Sequence, residues 1–259
     1  MRRLTMLASI VLGAAAMMAG SITSSAAGNE AALANGKKIF TEGKGSVPAC
    51  ISCHGEDGMG NDMMGTPRLS GQVVQFLVKQ LEDFATDRRM DTTMYVMNAN
   101  AKGLSNKDRV DVSLYAHNLP LVAANLSNLT ELKDSGTAVG QPYLGKNLVN
   151  FGIIEKGVPA CKSCHGFNGR GVDPMYPKLN KQKYVYLVNQ LKQWRDGTRT
   201  NDPMSQMQKV ARNLSDADIN NAAAYLAGAA GTTLGNSRVP EHHMPLLYDT
   251  GGYGDSSNE

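Results

Sequence analysis

Apolar residues recur along this chain at the spacing of helices rather than of strands. From Gln72 to Ala85, the apolar side chains that fall on one helical face are Val74, Leu77, Leu81 and Phe84, as in an amphipathic helix. A shorter helix is predicted from Ala31 to Phe40. No segment alternates between apolar and polar residues as a half-buried strand does. The pattern therefore predicts an all-α fold.

This helical pattern occurs twice, with matching residues 110 positions apart. The segment 67–72 matches 177–182, and the Leu-Ser-x-x-Asp segment 104–108 matches 214–218. In each of the latter two segments, a Ser is followed three positions later by an Asp. This pattern predicts a capping box, in which each side chain accepts a hydrogen bond from the other residue's backbone at a helix N-terminus. An internal repeat of this kind indicates two successive copies of one structural unit.

The repeat divides the chain into two predicted domains. We assign the first unit to residues 28–120 and the second unit to residues 137–231. The segment 121–136 lacks a clean period and is predicted to be a linker. The segment 232–259 is rich in Gly, Ser and Pro and is predicted to be an extended tail.

The first 27 residues are predicted to be an export signal. Arg2 and Arg3 precede an apolar run over residues 4–19, and small residues follow as a cleavage site. Because the run is shorter than the ~20 apolar residues of a spanning helix, cleavage near Ala26 or Ala27 is favoured, with an uncleaved anchor as the alternative. The mature protein is expected in the periplasm.

One five-residue motif occurs once in each unit, as Cys50-Ile51-Ser52-Cys53-His54 and as Cys161-Lys162-Ser163-Cys164-His165. C-x-x-C-H is the attachment motif of c-type haem. Two thiols three positions apart can each bond one vinyl group, and the adjacent His then supplies the proximal iron ligand. The sequence predicts two covalently bound haem c groups. The predicted attachment residues are Cys50, Cys53, Cys161 and Cys164, and the predicted proximal ligands are His54 and His165.

The number of cysteines limits the roles that they can have. The chain has four Cys, and the two motifs use all of them. Two disulfides or a four-Cys zinc site are the alternatives, but neither accounts for a His after each second Cys. No Cys remains as a catalytic thiol or as a thiolate ligand of the iron.

Methionines are the candidate distal ligands, because Met opposite His closes the iron site and raises its potential for electron transfer. The candidates in the first unit are Met90, Met94 and Met97, and those in the second unit are Met204 and Met207. The repeat pairs Met94 with Met204 and Met97 with Met207, so spacing alone leaves both pairs open. Met63 and Met64, in the loop after the first motif, are expected to pack in the haem pocket rather than to bind iron.

Charge is distributed unequally between the units. Residues 28–120 hold ten basic and eleven acidic residues, for a net charge of −1, whereas residues 137–231 hold twelve basic and six acidic residues, for +6. The whole chain carries only +3, which does not indicate a nucleic-acid-binding protein. The second unit is therefore the better candidate for attracting an acidic partner, although an ordinary solvated surface is the alternative.

The sequence resembles the two-haem class I cytochromes c of the cytochrome c4 family over roughly residues 30–230. The resemblance lies in both haem motifs, in Pro67 with Leu69 and Pro177 with Leu179, and in the Gln-Leu pairs at 80–81 and 190–191. It also includes the stretch 199–202 and the two Leu-Ser-x-x-Asp segments. The family implies two tandem domains related by a pseudo-twofold axis, with the haems close enough for rapid electron exchange.

Residue roles follow from the same resemblance. In the family the distal Met stands seven residues before the Leu of the Leu-Ser pair, which selects Met97 and Met207 as distal ligands. The carbonyl groups of Pro67 and Pro177 are expected to support the proximal histidines. Tyr115 is expected to lie mid-helix at a close crossing with Gly36 of the first helix, and Tyr225 is expected to lie at the equivalent crossing.

The predicted function is that of a single-electron carrier between a respiratory donor and a terminal oxidase or reductase. No small-molecule substrate is expected, the partners are expected to be redox proteins, and peripheral membrane association is left open. The first alternative is a cytochrome subunit of a periplasmic dehydrogenase complex, such as a flavoprotein complex acting on sulfide. The second is an enzyme, such as a two-haem peroxidase or a thiosulfate-oxidising cytochrome, which needs an open iron site.

Overall fold

The computed structural model describes residues 28–230, and its regular structure is helical. The first unit consists of helices α1 (28–42), α2 (Ile51–His54), α3 (Val74–Ala85), α4 (Met97–Lys102) and α5 (Asn106–His117). The second unit consists of α7 (Pro142–Phe151), α8 (Lys162–His165), α9 (Tyr184–Asp196), α10 (Gln206–Ala211) and α11 (Asp216–Gly228). A short helix, α6 (Leu129–Asp134), precedes α7. Within these described residues extended pairing is limited to isolated bridges, and the all-α prediction is confirmed.

The first and last helices of each unit cross at a glycine. A Cβ atom added to Gly36 would lie 2.1 Å from the carbonyl oxygen of Asp111 and 2.9 Å from Cβ of Tyr115. At the equivalent crossing, a Cβ on Gly145 would lie 1.9 Å from a backbone oxygen of α11 and 2.9 Å from Cβ of Tyr225. Only glycine allows the two backbones to approach this closely. The predicted positions of Tyr115 and Tyr225 are confirmed.

Both final helices begin with the predicted capping box. The Ser105 hydroxyl accepts a hydrogen bond from the Asp108 N–H, and the Asp108 carboxylate accepts one from the Ser105 N–H. Ser215 and Asp218 repeat this arrangement at the start of α11. Because the first N–H groups of a helix have no partner within the helix, these side chains fix where each helix starts.

Part of the segment predicted as a linker belongs to the second core. Helix α6 lies inside residues 121–136, and its Leu132 is 6% exposed among buried residues of the second unit. Lys183 further ties this segment to the second unit, because its ammonium donates to the Asn125 carbonyl at 2.7 Å. The segment therefore packs against the second unit as well as connecting the two units.

The two units contact each other through a symmetric set of hydrogen bonds. The Gln72 side-chain amide bonds both backbone groups of Lys178, accepting from its N–H at 2.7 Å and donating to its carbonyl at 2.9 Å. The Gln182 amide bonds Arg68 in the same way, at 2.6 and 3.0 Å. Each contact maps onto the other by the 110-residue repeat, so the units are related by the predicted pseudo-twofold axis.

The structure describes neither end of the chain. The predicted export signal and the whole predicted tail lie outside residues 28–230. Among the residues it does describe, no helix is both long and apolar enough to cross a membrane.

Candidate haem sites

Each haem motif forms a single helical turn. The backbone N–H of His54 donates to the Cys50 carbonyl at 2.9 Å, and that of His165 donates to the Cys161 carbonyl at 2.9 Å. Residues three and four positions apart lie on the same side of such a turn. The two thiols and the imidazole of each motif therefore face one side, as a covalently attached haem requires.

The predicted carbonyl support of the proximal histidines is present in both units. His54 Nδ1 lies 3.1 Å from the carbonyl oxygen of Pro67, and His165 Nδ1 lies 2.9 Å from that of Pro177. Nδ1 carries the proton in these contacts, so the lone pair of Nε2 is available to a metal. Burial lowers the pKa of both histidines, opposed by these same hydrogen bonds. Each ring is thereby kept neutral and oriented for coordination.

The cysteines do not have the properties of a redox dithiol. Burial raises the pKa of Cys50 and of Cys161 to about 11, whereas a reactive thiol needs a lowered pKa. All four cysteines are free thiols. Within residues 28–230, no three or more His, Cys, Asp or Glu side chains are gathered as a metal site. The disulfide and four-Cys zinc alternatives therefore gain no support.

An apolar cavity lies beside the haem motif of the first unit, and a few side chains of the second unit, such as Tyr186, line part of it. Cys50, Cys53 and His54 line one part of it. The apolar side chains that line the rest include Phe40, Leu77, Leu81, Phe84, Leu104 and Val112. Such a lining suits the flat apolar ring of a haem, which would complete the core of the unit.

The methionine candidates differ in exposure. Met90, Met94 and Met97 all line the cavity, but Met90 is 50% exposed and Met94 is 37% exposed, whereas Met97 is half-buried at the start of α4. In the second unit Met207 is half-buried in α10, and Met204 is 77% exposed. The expectation that Met63 packs in the haem pocket is wrong. Met63 is 83% exposed and does not line the cavity.

An aspartate that the sequence analysis missed holds the segment before Met97. The Asp91 carboxylate accepts hydrogen bonds from four backbone N–H groups, those of Thr93, Met94, Val96 and Met97, at 2.9, 3.4, 3.0 and 3.2 Å. Burial raises the pKa of Asp91, but these hydrogen bonds outweigh burial and hold the pKa below its ordinary value. The equivalent Asp202 accepts only from Gln208, at its backbone N–H and its side-chain amide, at 3.1 and 2.8 Å.

Two arginines are buried between the units. Arg89 is 6% exposed and Arg199 is 5% exposed. Each donates to the side-chain oxygens of both Gln80 and Gln190, at 2.5 to 2.9 Å. Arg89 also lies over the Phe84 ring and Arg199 over the Trp194 ring, at 4.5 and 4.1 Å from the ring centroids.

These arginines have no carboxylate partner among the described residues. The acidic group that contacts them is the Tyr186 hydroxyl, which accepts from Arg89 at 3.2 Å. Burial raises the pKa of Tyr186, but both arginines outweigh burial and lower it. Neither forms an ion pair with a carboxylate of the described residues. Arg89 Nε is buried without a hydrogen-bond partner, and Arg89 lines the first cavity. Burial and the nearby charge of Arg89 lower the pKa of Arg199 to about 9. Because unpaired buried charge is costly, this arrangement fits a group that brings carboxylates to the rim of an apolar pocket, as a haem does with its propionates.

Comparisons with known proteins agree with this geometry. The family model for cytochrome c matches residues 33–120 and 155–230. The chain is 37% identical to the thiosulfate dehydrogenase electron acceptor of Stutzerimonas stutzeri, over 76% of this chain and 88% of the relative. It is 31% identical to cytochrome c4 of Pseudomonas aeruginosa, over 72% of this chain and 86% of the relative.

Among solved structures, a thiosulfate dehydrogenase from Marichromatium purpuratum superposes with a TM-score of 0.67 and 31% identity. The match covers 75% of this chain and 40% of that longer chain. This chain has the haem attachment motifs, the carbonyl groups that support the histidines and two tandem helical units. Together with the similarity to these relatives, they identify it as an electron-transfer protein. The chain belongs to the cytochrome c family and, within it, to the cytochrome c4 group.

Proposed function

We propose that this protein is a periplasmic two-haem electron carrier that accepts electrons from a thiosulfate-oxidising dehydrogenase and passes them toward a terminal oxidase or reductase. The observation that carries the proposal is the pair of equivalent His sites, joined in one chain by a symmetric interface. The relative that is 37% identical is itself named as an acceptor for thiosulfate dehydrogenase. Oxidative coupling of two thiosulfate ions releases two electrons, which matches two one-electron sites.

In this proposal each haem is held by its two cysteines and by two axial ligands. His54 with Met97, and His165 with Met207, are the axial pairs. Their support is the orientation of the histidines by Pro67 and Pro177 and the half-buried positions of the two methionines. The haem iron, when bound, supplies reversible one-electron chemistry.

The protein's own residues set the conditions for that chemistry. The carbonyls of Pro67 and Pro177 hold the imidazole rings in one tautomer and one orientation. The apolar lining of the first cavity would exclude water from a bound haem. Arg89 and Arg199 provide buried positive charge that would neutralise propionates and favour the reduced, less positive state of the iron.

The experiment mixes the oxidised holoprotein with purified thiosulfate dehydrogenase and thiosulfate, and follows the haem absorbance. We expect both haems to be reduced in the complete mixture, with two electrons taken per chain, and no reduction when either component is omitted. A holoprotein that ascorbate reduces but the complete mixture does not would contradict the proposal.

A second candidate is a cytochrome subunit held in a dehydrogenase complex. It is favoured by the Marichromatium structure, because this chain corresponds to 40% of that longer chain. Mild purification from the native periplasm distinguishes the two. A stoichiometric dehydrogenase companion that survives gel filtration indicates a subunit, whereas a cytochrome eluting alone indicates a diffusing carrier.

The export signal belongs to this proposal as well. Covalent haem attachment takes place outside the cytoplasmic membrane in bacteria, which agrees with the predicted cleavage near Ala26 or Ala27. N-terminal sequencing of the mature protein tests this assignment, and a mature chain beginning at Met1 would contradict it.

A further inference from the structure

The surfaces around the two haem motifs are built on the same backbone. A Cβ on Gly43 would lie 2.3 Å from the Val47 oxygen, and a Cβ on Gly152 would lie 2.2 Å from the Val158 oxygen. The backbone bridge Asn61–Thr66 after the first motif corresponds to the bridge Val172–Tyr176 after the second. These shared contacts align the segment 42–68 with the segment 151–178. We call these segments the first face and the second face.

At two aligned positions a polar residue of the first face is replaced by an apolar residue on the second face. Glu42 precedes Gly43, whereas Phe151 precedes Gly152. Asn61 opens the bridge after the first motif, whereas Val172 opens it after the second. Differences at equivalent backbone positions do not arise from the fold, which both units share.

The apolar side chains of the second face are exposed. Phe151 is 71% exposed, Val172 is 45% exposed, and Ile154, in a turn two residues longer than its counterpart, is 86% exposed. Both faces also expose one methionine in the later loop, Met63 and Met175, so the methionines do not distinguish them. An exposed apolar group surrounded by charged residues is typical of a surface that binds a partner.

Charge on the two faces has opposite sign. The first face carries four acidic residues, Glu42, Glu56, Asp57 and Asp62, against one exposed basic residue, Lys44, for a net charge of −3, because Arg68 is 4% exposed and lies in the interface between the units. The second face carries four basic residues, Lys156, Lys162, Arg170 and Lys178, and two acidic residues, Glu155 and Asp173, for +2. The Lys162 ammonium lies 5.0 Å from the centroid of the Phe151 ring, so positive charge directly borders the apolar group.

The second face also includes a haem attachment position that is open to solvent. Cys164, a predicted haem attachment residue, is exposed within this face, whereas the equivalent Cys53 is only partly exposed. A partner bound here would lie against the thioether side of the second haem.

We propose that the second face is the docking surface for the electron-donating protein, and that the donor presents an apolar centre with an acidic rim. The identity of the donor rests on the proposed function, whereas the face does not. Apolar contact would slow dissociation of the complex, and the basic rim would accelerate its encounter with an acidic partner. The first face, with the same backbone and the opposite charge, would not bind that donor.

The test transfers the residues of the first face onto the second. The variant Phe151→Glu/Val172→Asn places the first-unit residues at the two aligned positions, and the matched control Glu42→Ala/Asn61→Ala alters the same positions of the first unit. The measured quantity is the second-order rate constant for reduction of the oxidised holoprotein by thiosulfate dehydrogenase with thiosulfate, at several salt concentrations. We expect at least a tenfold loss in the variant, a change of less than about twofold in the control, and a wild-type rate that falls as salt rises. Unchanged reduction potentials and thermal midpoints exclude damage to the fold.

Equal rates for wild type and variant, or an equal loss in the control, would overturn the proposal while the proposed function stands. If sedimentation shows a wild-type dimer that the variant abolishes, the face is a self-interface and the proposal fails. Binding to phosphatidylglycerol vesicles by wild type, but not by the variant, would likewise make it a lipid surface and overturn the proposal.

If the dehydrogenase does not reduce even the wild type, the proposed function fails, and the face is then tested by reduction of the oxidised proteins with respiratory membranes supplied with a quinol as electron donor. A slower variant in that assay supports a protein-docking face, whereas equal rates overturn it.

Discussion

At the scale of single residues, carboxylates that accept backbone N–H groups decide how firmly the site loops are held. Asp91 accepts four such hydrogen bonds from the segment that leads to Met97, whereas Asp202 accepts from a single residue, Gln208, which follows Met207. Charge-assisted hydrogen bonds of this kind are stronger than neutral ones. The two distal segments are therefore fixed to different degrees, despite their shared fold.

The substitution Asp91→Ala is expected to loosen the distal ligand of the first haem. Four backbone N–H groups lose their acceptor. Each of these hydrogen bonds contributes about 1 kcal/mol or more, because the carboxylate that accepts it is ionised. We expect a partial loss of the red absorption band of Met-ligated ferric haem and faster cyanide binding at one haem. The matched control Asp202→Ala, with fewer N–H partners, should show a smaller effect. Equal effects at both sites would contradict this account of the loop.

Asp108 gives the protein a pH dependence at acidic pH. Burial raises the pKa of Asp108, but hydrogen bonds from Lys44, Ser105 and Asn35 outweigh burial and hold it well below its ordinary value. A lowered folded-state pKa contributes stability above the unfolded pKa of ~3.9, and this stability is lost as the pH falls toward the folded pKa.

Replacing Asp108 by Asn should therefore lower the free energy of unfolding at neutral pH by about 1–3 kcal/mol and flatten its decline in acid. Denaturant unfolding between neutral pH and pH 3 measures both effects. Asp218→Asn is the matched control, because Asp218 is more exposed, with its side chain 18% accessible against 4% for Asp108. A larger loss in Asp218→Asn would show that burial of Asp108 is not the cause.

At the scale of helices, the crossing of the first and last helices is the contact that defines each unit. It needs glycine at Gly36 and Gly145, because a Cβ would lie about 2 Å from a backbone oxygen of the partner helix. The repeat and Tyr115 allowed this crossing to be predicted before the structure. The capping boxes were predictable for a similar reason, since both partners lie within four residues.

Other elements could not be predicted from the sequence, for physical reasons. Helix α6 spans six residues, which is too short to show a helical period, and its burial depends on contacts distant in sequence. Asp91 accepts hydrogen bonds from backbone N–H groups. Every residue except proline has such a group, so the identity of the neighbouring residues does not indicate the contact. Gln80 was visible as part of a repeated Gln-Leu pair, but a repeat does not reveal that its side chain meets Arg199 across the two units.

Gly145→Ala is expected to separate α7 from α11 and to destabilise the second unit by about 3 kcal/mol or more, at the upper end for overpacking. The matched control is Gly228→Ala in the last turn of α11, where an added Cβ meets nothing within 4 Å. That control should be neutral or slightly stabilising, since Ala favours helix over Gly. Thermal unfolding of the holoproteins measures both changes. If the two variants unfold alike, the close crossing does not determine stability.

At the scale of the whole molecule, the interface between the units holds two buried cations rather than an apolar seam. Arg89 and Arg199 share the oxygens of Gln80 and Gln190 and have no carboxylate partner among the described residues. Buried charge of this kind is costly when it is not neutralised, and haem carboxylates at this position would neutralise it. The interface would then link the potentials of the two haems.

Arg89→Leu is expected to lower the reduction potential of the first haem by a few tens of millivolts, since removal of a buried cation favours ferric iron. On the one-electron scale ~59 mV is a tenfold change in equilibrium constant. The control is the adjacent Arg88→Leu, whose side chain is 57% exposed and paired with Glu82 and Asp83, and it should shift the potential little. A redox titration that finds equal shifts would contradict a role for the buried arginine.

The central claim is that two haems are each held by one His and one Met, at His54 with Met97 and at His165 with Met207. The most direct measurement is the red absorption band of Met-ligated ferric haem in the oxidised holoprotein, compared with Met97→Ala, Met207→Ala and the double variant. The account predicts that each single variant loses about half of the band and that the double variant loses all of it, while Met94→Ala and Met204→Ala retain it. A band that survives in the double variant, or one that Met94→Ala or Met204→Ala halves, would contradict the account.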